Sequence, residues 1–339
     1  MPLSLSLPLQ LSSRVLRPLL GLALVCGLTA SFAAPAVAKP VVADLRVLTP
    51  TVTLERGASY VNDTASIRTD PNAKCFPGAA GGSGNVVKLP GPTALGIVRF
   101  AEEVNARLRP ISVDDEFGFG LGICGFGGYE AQFPNSTWYL KVNHKETTAG
   151  GDQVRLHNGD HVLWYLAPNN YPNPAPTELE LRGPARAVPG PVTVTVIGHS
   201  CVTDSTTFET TCTAAPADGA TVGGVTTGPD GKATLTLAEP GATLIATRGA
   251  DIPSNRLGVC VNAQLSKCAA RRGKRIVGTR GRDTIHGTKG PDVIRGRGRD
   301  DEIFVGGGAA DKVDCGSGED TVHAGANDIL RSCEVVIRH

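Results

Sequence analysis

The chain has 339 residues, among them 42 glycines, 24 prolines and a single methionine. This composition favours short strands and turns over helices, so a mainly β, multidomain protein is expected. The formal net charge of +1 excludes a general electrostatic attraction to nucleic acid or to an anionic membrane.

Residues 1–38 have the features of a secretory signal peptide. Arg14 and Arg17 supply the basic flank, an uncharged apolar segment follows at 19–34, and Ala36-Val37-Ala38 forms a small-x-small cleavage site. The alternative is an uncleaved membrane anchor, which the glycines inside the apolar segment disfavour. No later segment reaches the ~18 apolar residues of a membrane-spanning helix. We therefore expect a secreted or cell-surface protein with no transmembrane segment after cleavage.

Cysteine usage agrees with export. Cys26 leaves with the signal peptide, and eight of the nine cysteines remain. An even number in an exported chain predicts disulfides. No CxxC spacing is present, so a zinc ribbon is not predicted. The grouping along the chain favours the pairs Cys75–Cys124, Cys201–Cys212, Cys260–Cys268 and Cys315–Cys333.

The first unit, residues 40–167, is predicted to combine a small sheet with one helix. Thr93 is a candidate N-cap, and apolar residues at helical spacing follow it. The predicted elements are strands Ala43–Val47 and Thr51–Leu54, helix Ala94–Leu108, and strands Thr137–Val142 and Asp160–Leu166.

Two motifs in this unit carry a resemblance to a known family. They are Trp138-Tyr-Leu-Lys-Val142-Asn143 and Asn158-Gly159-Asp160-His-Val-Leu-Trp164-Tyr165. With the order of elements, they resemble the domain related to the C-terminal part of transcobalamin, which implies a β-grasp-like fold. In transcobalamin this part covers one face of cobalamin, but these residues do not transfer that ligand, and the ligand of 40–167 is unknown. We expect core or strand-face roles, rather than a ring-stacking platform, for Trp138, Trp164 and Tyr165.

Residues 168–176 form a proline-rich, stiff linker, and period-two strands follow in 177–263. The turn Gly228-Pro-Asp-Gly231 is predicted to join the middle pair of strands. The pattern resembles bacterial Ig-like modules, which implies a β-sandwich that acts as a spacer or binding face. The predicted strands are Thr177–Leu181, Val192–Ile197, Ala233–Leu237 and Thr243–Ala246.

A basic linker, residues 264–275, leads into the C-terminal region. Its Arg271-Arg-Gly-Lys-Arg275 run opens a basic stretch, 271–299. This stretch is a candidate contact for an anionic cell-envelope polymer. The run is alternatively a proteolytic site or a solvated linker, and we favour the solvated linker.

Residues 276–339 contain an internal repeat of about nine residues. Each copy has an aspartate with an apolar residue two positions later, and the first two copies carry the glycines Gly278, Gly281, Gly287 and Gly290. The pattern resembles the RTX, or hemolysin-type, calcium-binding repeats, which form a parallel β-roll. Because alternate copies stack, one column is expected to hold Asp283, Asp301 and Asp320, and the other Asp292 and Asp311.

Stacked carboxylates and turn carbonyls are suitable ligands for Ca²⁺, which is the expected cofactor. In the third copy, Asp301 fits the apolar register but places Arg299 at a glycine position. Asp300 fits the glycine register through Gly298 but requires a bulge, so both aspartates remain candidates. Cations near the first copies weaken a calcium loop by repulsion. The alternative is a Gly/Asp-rich solenoid that holds no ion.

The sequence contains no recognisable catalytic constellation. His157 and His161 flank an Asn-Gly turn, and Asp114-Asp115-Glu116 has the character of a solvated acidic run. We therefore expect a secreted, non-enzymatic, modular binding protein that binds calcium and no nucleic acid. The alternatives are an accessory or binding region of an extracellular hydrolase, or a small-ligand, cobalamin-like binder acting through 40–167.

Overall fold

The computed structural model describes residues 39–339 except 74–77, 119, 148, 169–175, 205, 208 and 270–271. The proposed signal peptide, Cys75 and most of the proline-rich linker lie outside the described residues. The described chain is mainly β, as its composition predicts. None of its described helices has the length and apolar character needed to cross a membrane.

The N-terminal module, residues 39–168, is built on a mixed sheet. Its strands are β1 (Val41–Leu48), β2 (Thr53–Asn62), β3 (Ala65–Arg68), β4 (Val86–Leu89), β5 (Ile111–Asp114), β6 (Gly122–Phe126), β7 (Tyr129–Glu130), β8 (Ser136–Val142), β9 (Lys145–Thr147) and β10 (His161–Pro168). Strand β1 pairs antiparallel with β2 and parallel with β10, and β8 and β9 continue the sheet. Two smaller sheets complete the module: β3 pairs with β4 in one, and β5, β6 and β7 form the other.

The predicted helix is shorter than expected. Helix α1 spans Gly96–Ala101, and a separate 3-10 turn spans Ala106–Leu108. Thr93 does act at the start, since its hydroxyl accepts the Gly96 N–H at 3.0 Å. Asn105 explains the break, because its extended backbone starts the 3-10 turn while its side chain donates to the Leu54 carbonyl at 2.9 Å.

Aromatic side chains fill the core between α1 and the sheet. Trp138 and Trp164 are buried, and the ring of Phe126 meets both edge-on. Each indole N–H has a main-chain acceptor, the carbonyl of Tyr129 for Trp138 and that of Ala94 for Trp164. Both tryptophans therefore serve packing, as expected.

The middle module is built from three small sheets that share one hydrophobic core. Its strands are β11 (Glu178–Arg182), β12 (Arg186–Ala187), β13 (Gly190–Thr203), β14 (Thr210–Pro216), β15 (Thr221–Val222), β16 (Val225–Thr226), β17 (Lys232–Leu237), β18 (Gly241–Leu244), β19 (Ala246–Thr247) and β20 (Leu257–Val261), followed by a 3-10 turn, Leu265–Lys267. Strand β13 pairs with β11, β14 and β17 in one sheet, β12, β20 and β18 form a second, and β16, β15 and β19 form a third. The predicted turn Gly228–Gly231 joins β16 to β17. It does not join the pair β13 and β17, because three short strands intervene.

The C-terminal residues form a parallel β-roll. Its strands are β21 (Arg275–Val277), β22 (Thr284–His286), β23 (Val293–Gly298), β24 (Glu302–Phe304), β25 (Lys312–Ser317), β26 (Thr321–Ala324), β27 (Ile329–Arg331) and β28 (Val335–Arg338). Odd-numbered strands pair in one parallel sheet and even-numbered strands in another. The inward apolar residues of the repeat are all buried between the two sheets: Ile285, Ile294, Ile303, Val313 and Val322.

The sequence does not reveal that the roll continues the sheet of the N-terminal module. Strand β21 pairs parallel with β2 through Ser59 with Ile276 and Tyr60 with Val277, which gives a nine-stranded sheet. The first edge of the roll is thus covered by β2 instead of being exposed to solvent. The predicted basic linker, 264–275, overlaps the roll by one residue, because its last residue, Arg275, is the first residue of β21.

Three of the expected disulfide pairs are formed within the described residues: Cys201–Cys212, Cys260–Cys268 and Cys315–Cys333. Cys201 and Cys212 are direct cross-strand partners on β13 and β14. Cys124 is disulfide-bonded as well, whereas its expected partner Cys75 lies outside the described residues.

Two glycines on the same strand of the roll provide a matched test of this packing. A Cβ on Gly296 would overlap the Cys315 carbonyl and lie 2.5 Å from Asp301 Oδ2, whereas a Cβ on Gly298 would approach only Ser317 Oγ, at 3.2 Å. We expect Gly296→Ala to lower the free energy of unfolding by about 2 kcal/mol or more, and Gly298→Ala to change it by less than about 0.5 kcal/mol. Denaturant unfolding monitored by circular dichroism measures both, and equal losses would contradict the coil geometry described here.

Candidate functional site

The repeat aspartates stand in the two columns that the nine-residue period predicts. The residues after Asp283, Asp301 and Asp320 are successive partners in one sheet, and those after Asp292 and Asp311 are partners in the other. All five side chains are at most 2 % exposed. The roll therefore buries one carboxyl group in every half-coil.

Each column is a ladder of hydrogen bonds between carboxylates and main-chain amides. The Asp283 N–H donates to Asp301 Oδ1 at 2.9 Å, and the Asp301 N–H donates to Asp320 Oδ1 at 2.8 Å. In the second column the Asp292 N–H donates to Asp311 Oδ1 at 2.7 Å. A carboxylate thus binds the turn of the preceding coil.

Both ladders end on acids that sequence reasoning missed. Glu334 Oε2 accepts the Asp320 N–H at 2.9 Å, and Asp328 Oδ1 accepts the Asp311 N–H, also at 2.9 Å. Their separations of 14 and 17 residues break the period. In the sequence, each of these acids is marked only by its position directly before a short apolar strand, and this feature is too common to identify them.

In the first two copies, a threonine donates hydrogen bonds to both carboxylate oxygens of the aspartate. Thr279 donates its N–H to Asp283 Oδ2 at 2.6 Å and its hydroxyl to Asp283 Oδ1 at 3.0 Å. Thr288 donates to Asp292 in the same way. Gly281 and Gly290 donate their N–H groups to these threonine hydroxyls.

Gly278 and Gly287 have a steric role in the same two turns. A Cβ on Gly278 would lie 2.7 Å from Asp283 Oδ2, and one on Gly287 would lie 2.8 Å from Asp292 Oδ2. The four glycines predicted from the repeat thus leave room for the carboxylates or bind the threonines beside them.

Asp301, Asp311 and Asp320 lack the threonine, because Arg297, Gly307 and Gly316 stand four residues before them. In the first column, Oδ2 of Asp301 and Oδ2 of Asp320 are buried and have no hydrogen-bond partner among the described residues. Burial, followed by repulsion from Asp283, Asp320 and Asp300, raises the pKa of Asp301 to about 7. Burial and the nearby Glu334 also raise the pKa of Asp320.

The ambiguity in the third copy resolves in favour of Asp301. Asp300 lies outside the column with 55 % of its side chain exposed, so its assignment as a column ligand is wrong. It accepts the Glu319 N–H at 3.0 Å instead. Arg299 adopts φ = +71°, the left-handed conformation normally taken by glycine, and this lets Asp301 keep the apolar register.

A charged cleft of about 660 Å³ lies where the three modules meet. It is lined by Asp44, Arg46, Glu55 and His161 of the N-terminal module, by Glu178, Glu180 and Arg256 of the middle module, and by Arg275 of the roll. Burial disfavours the charge on Asp44, yet its partners His161 and Lys274 hold the pKa of its carboxyl below the usual value. Carboxylates and arginines side by side suit a polar or charged ligand.

The basic stretch 271–299 turns several of its cations toward acids of the N-terminal module. Lys274 lies 2.9 Å from Asp44, and Arg297 lies 3.0 Å from Glu103, which Arg280 approaches at 3.5 Å. These cations hold the roll against the N-terminal module. The contact with an envelope polymer stays a prediction.

Replacing Asp301 should change how stability depends on pH in metal-free protein. Because the folded pKa is about 7 and the usual value is near 4, the folded state holds the extra proton between these values. Stability contributed by this group is therefore lost as pH rises from 4 to 7. As pH rises over this range, we expect the free energy of unfolding of Asp301→Asn to increase by about 2 kcal/mol relative to that of the parent. This is roughly half of the free energy that corresponds to the full pKa shift, because nearby solvent screens the charge.

Denaturant unfolding in the presence of a chelator, at a series of pH values, measures this difference. Asp300→Asn is the comparison variant. It removes an exposed acid that makes only the smallest of the contributions raising the pKa of Asp301, so it should change the pH dependence much less than Asp301→Asn does. A gap between parent and Asp301→Asn that does not vary with pH would contradict the burial of an ionisable, under-bonded carboxyl.

No family model and no curated protein matches the sequence. Comparison with solved structures finds a crystal structure of haptocorrin in complex with Cbi, with a TM-score of 0.27 and 12 % sequence identity. The match covers 40 % of this chain and 27 % of that chain. A likeness at this TM-score carries no inference about fold or ligand.

Proposed function

We propose that the chain is an exported, modular protein that acts by binding, not by catalysis, and whose β-roll is stabilised by Ca²⁺. The observation that supports this most directly is the pair of buried carboxylate oxygens, Asp301 Oδ2 and Asp320 Oδ2, to which no residue in the described part of the chain donates a hydrogen bond. They belong to adjacent coils of one column. The ion is assigned to this part of the column.

The energetic reason is the cost of burying charge. A buried carboxylate without a hydrogen bond or counterion is strongly unfavourable, and two in one column also repel each other. A hard divalent cation satisfies both oxygens, and carbonyls of the glycine-rich turns are suited to complete its shell. Ion binding then contributes to the stability of a roll whose apolar core is thin.

Hydrogen bonding disfavours an ion at the first two copies. Thr279 and Thr288 already supply donors to both oxygens of Asp283 and Asp292. The proposed site is therefore narrower than the full set of repeat aspartates and glycines.

The surroundings of Asp301 and Asp320 are acidic, which favours a cation there. Asp300 directly precedes Asp301 and accepts the Glu319 N–H. Glu319 directly precedes Asp320, whose N–H is accepted by Glu334. Meanwhile Arg297, which occupies the threonine position of this copy, pairs with Glu103 of the N-terminal module.

Two further observations support export and binding. The three disulfides within the described residues suit an oxidising compartment outside the cytoplasm. The charged cleft between the modules offers a concave surface for a ligand, and the β-roll forms part of its wall through Arg275.

Calcium should stabilise the full mature chain in a manner that depends on two particular aspartates. We expect millimolar Ca²⁺ to raise the denaturation midpoint and to increase the free energy of unfolding by about 2.7 kcal/mol when free Ca²⁺ is 100 times its Kd. Asp301→Asn and Asp320→Asn should each abolish the increase, because each removes a ligand with no protein donor. Thermal and denaturant unfolding with and without Ca²⁺ measure it.

Asp283→Asn is the matched control, since it alters the same column where donors are already present, and it should keep most of the calcium response. NaCl at equal ionic strength separates binding from screening. A response that NaCl reproduces, or one that all three variants retain, would overturn the proposal.

A further inference from the structure

We propose that His144, Glu180 and His199 form a binding site for a divalent transition-metal ion such as Zn²⁺, which links the N-terminal module to the middle module. The site is independent of the calcium proposed in the β-roll, because it uses different residues, different ligand atoms and a different region of the chain. His144 and Glu180 also line the inter-module cleft.

Strand geometry brings the middle-module residues together. Glu178 and Glu180 alternate along β11 and therefore project from the same face of the sheet. His199 lies on β13 directly opposite Glu178 in the antiparallel register. His144 reaches this face from the other module, on the tight turn between β8 and β9, where its φ is +67°.

The distances suit a small tetrahedral ion. His199 Nε2 lies 2.9 Å from Glu180 Oε2, and His144 Nε2 lies 3.7 Å from the same oxygen. Ligand atoms around Zn²⁺ bound at about 2.0–2.1 Å are about 3.3 Å apart in a tetrahedron, which lies between these two values. Accepting the ion requires rotation of one imidazole, because the two rings lie nearly parallel.

Such grouping is rare in this molecule. Among the residues that the structure describes, these three form the one set of His, Cys, Asp or Glu side chains whose ligand atoms all lie within 4.8 Å of one another. Two imidazoles and one carboxylate are the ligand types that favour Zn²⁺ over Ca²⁺.

Glu178 supplies the outer support that metal-bound histidines usually have. Its Oε1 lies 3.1 Å from His144 Nδ1, although the ring is not aligned to donate to it in this structure. The rotation that accepts the ion can bring Nδ1 into line with Oε1, and a proton held on Nδ1 then leaves Nε2 free as a metal ligand. Glu178 is only 2 % exposed, and its Oε2 has no hydrogen-bond partner within the described chain. Arg46, 3.2 Å away, balances its charge.

The two histidines already lie together before any ion arrives. Their rings stack with centroids 4.0 Å apart and an angle of 9° between the planes. Because the Nε2 lone pair lies in the plane of its ring, one ring must rotate out of this stack before both nitrogens can bind the same ion. The His144 carbonyl contacts Cys201 Sγ at 3.8 Å, and Lys141 donates to the His199 carbonyl at 3.3 Å. The Cys201–Cys212 disulfide thus lies directly against the turn that carries His144.

Replacing Arg182 distinguishes a metal site from an ion-pair network that binds no metal. It donates two hydrogen bonds to Glu180, at 2.6 and 2.8 Å, and thereby competes with a metal ion for the carboxylate. Its side chain is 59 % exposed and has room to leave. Removing Arg182 should therefore tighten metal binding, whereas a network without a metal site predicts no binding with or without it.

The experiment is a Zn²⁺ titration of chelator-treated, full-length mature protein in competition with a chromogenic chelator, followed by a Co²⁺ titration read by visible absorption. We expect a saturable site with the intense d–d bands of tetrahedral Co²⁺. Glu178→Gln, a positioning variant, should weaken Zn²⁺ binding about 10- to 100-fold and shift the Co²⁺ spectrum. His144→Ala and His199→Ala should weaken binding further, and Arg182→Ala should strengthen it.

His157→Ala is the control, because this histidine of the N-terminal module is 86 % exposed and should leave affinity and spectrum unchanged. Circular dichroism verifies that each variant is folded. Parent protein that binds no Zn²⁺, or affinity that survives both His144→Ala and His199→Ala, would overturn the proposal.

Discussion

The β-roll depends on one recurring hydrogen bond, in which an aspartate carboxylate accepts the main-chain N–H of the aspartate one coil earlier. This bond fixes the vertical spacing of the turns and brings a charged group into a buried position in every half-coil. Hydrogen bonds to charged acceptors are worth about 1.5–3 kcal/mol each. They hold together coils whose apolar core contains only one or two buried side chains per repeat.

The cost of the same design is buried negative charge. At Asp283 and Asp292, hydrogen bonds from Thr279 and Thr288 to the second carboxylate oxygen offset that cost without an ion. Where threonine is replaced, at Asp301 and Asp320, the second oxygen has no donor in the described chain. The demand for a cation thus follows from the loss of one side-chain donor, while the column itself is continuous.

The roll is also attached to the rest of the protein more firmly than a separate tail would be. Pairing of β21 with β2 joins two modules in one sheet, and the ion pairs of Lys274 with Asp44 and Arg297 with Glu103 close the same boundary. On the other side, Arg46 pairs with Glu178 of the middle module. A change in the stability of the roll is therefore expected to reach the cleft between the modules.

Much of this was predictable where the signal is periodic and local. The nine-residue period gave both aspartate columns, and short-range spacing gave the pairs Cys201–Cys212, Cys260–Cys268 and Cys315–Cys333. Pattern alone failed for the helix, which ends early because the Asn105 side chain binds β2. It also kept Asp300 as a candidate ligand, since the positive φ of Arg299 cannot be read from residue types.

Long-range contacts left no trace in the sequence. Glu334 and Asp328 end the ladders at irregular spacing, and β21 meets β2 across more than two hundred residues. His144 and His199 come together only because two modules face each other. Their 55-residue separation matches no metal-binding motif, so only the structure could reveal the cluster.

The most direct measurement of the central claim is a crystal structure of the protein grown with Ca²⁺, with anomalous scattering used to locate the ion. The account predicts an anomalous peak in contact with Asp301 Oδ2 and Asp320 Oδ2, and no peak at Asp283 or Asp292. Fully calcium-saturated crystals in which those two oxygens contact only protein atoms or water would contradict it.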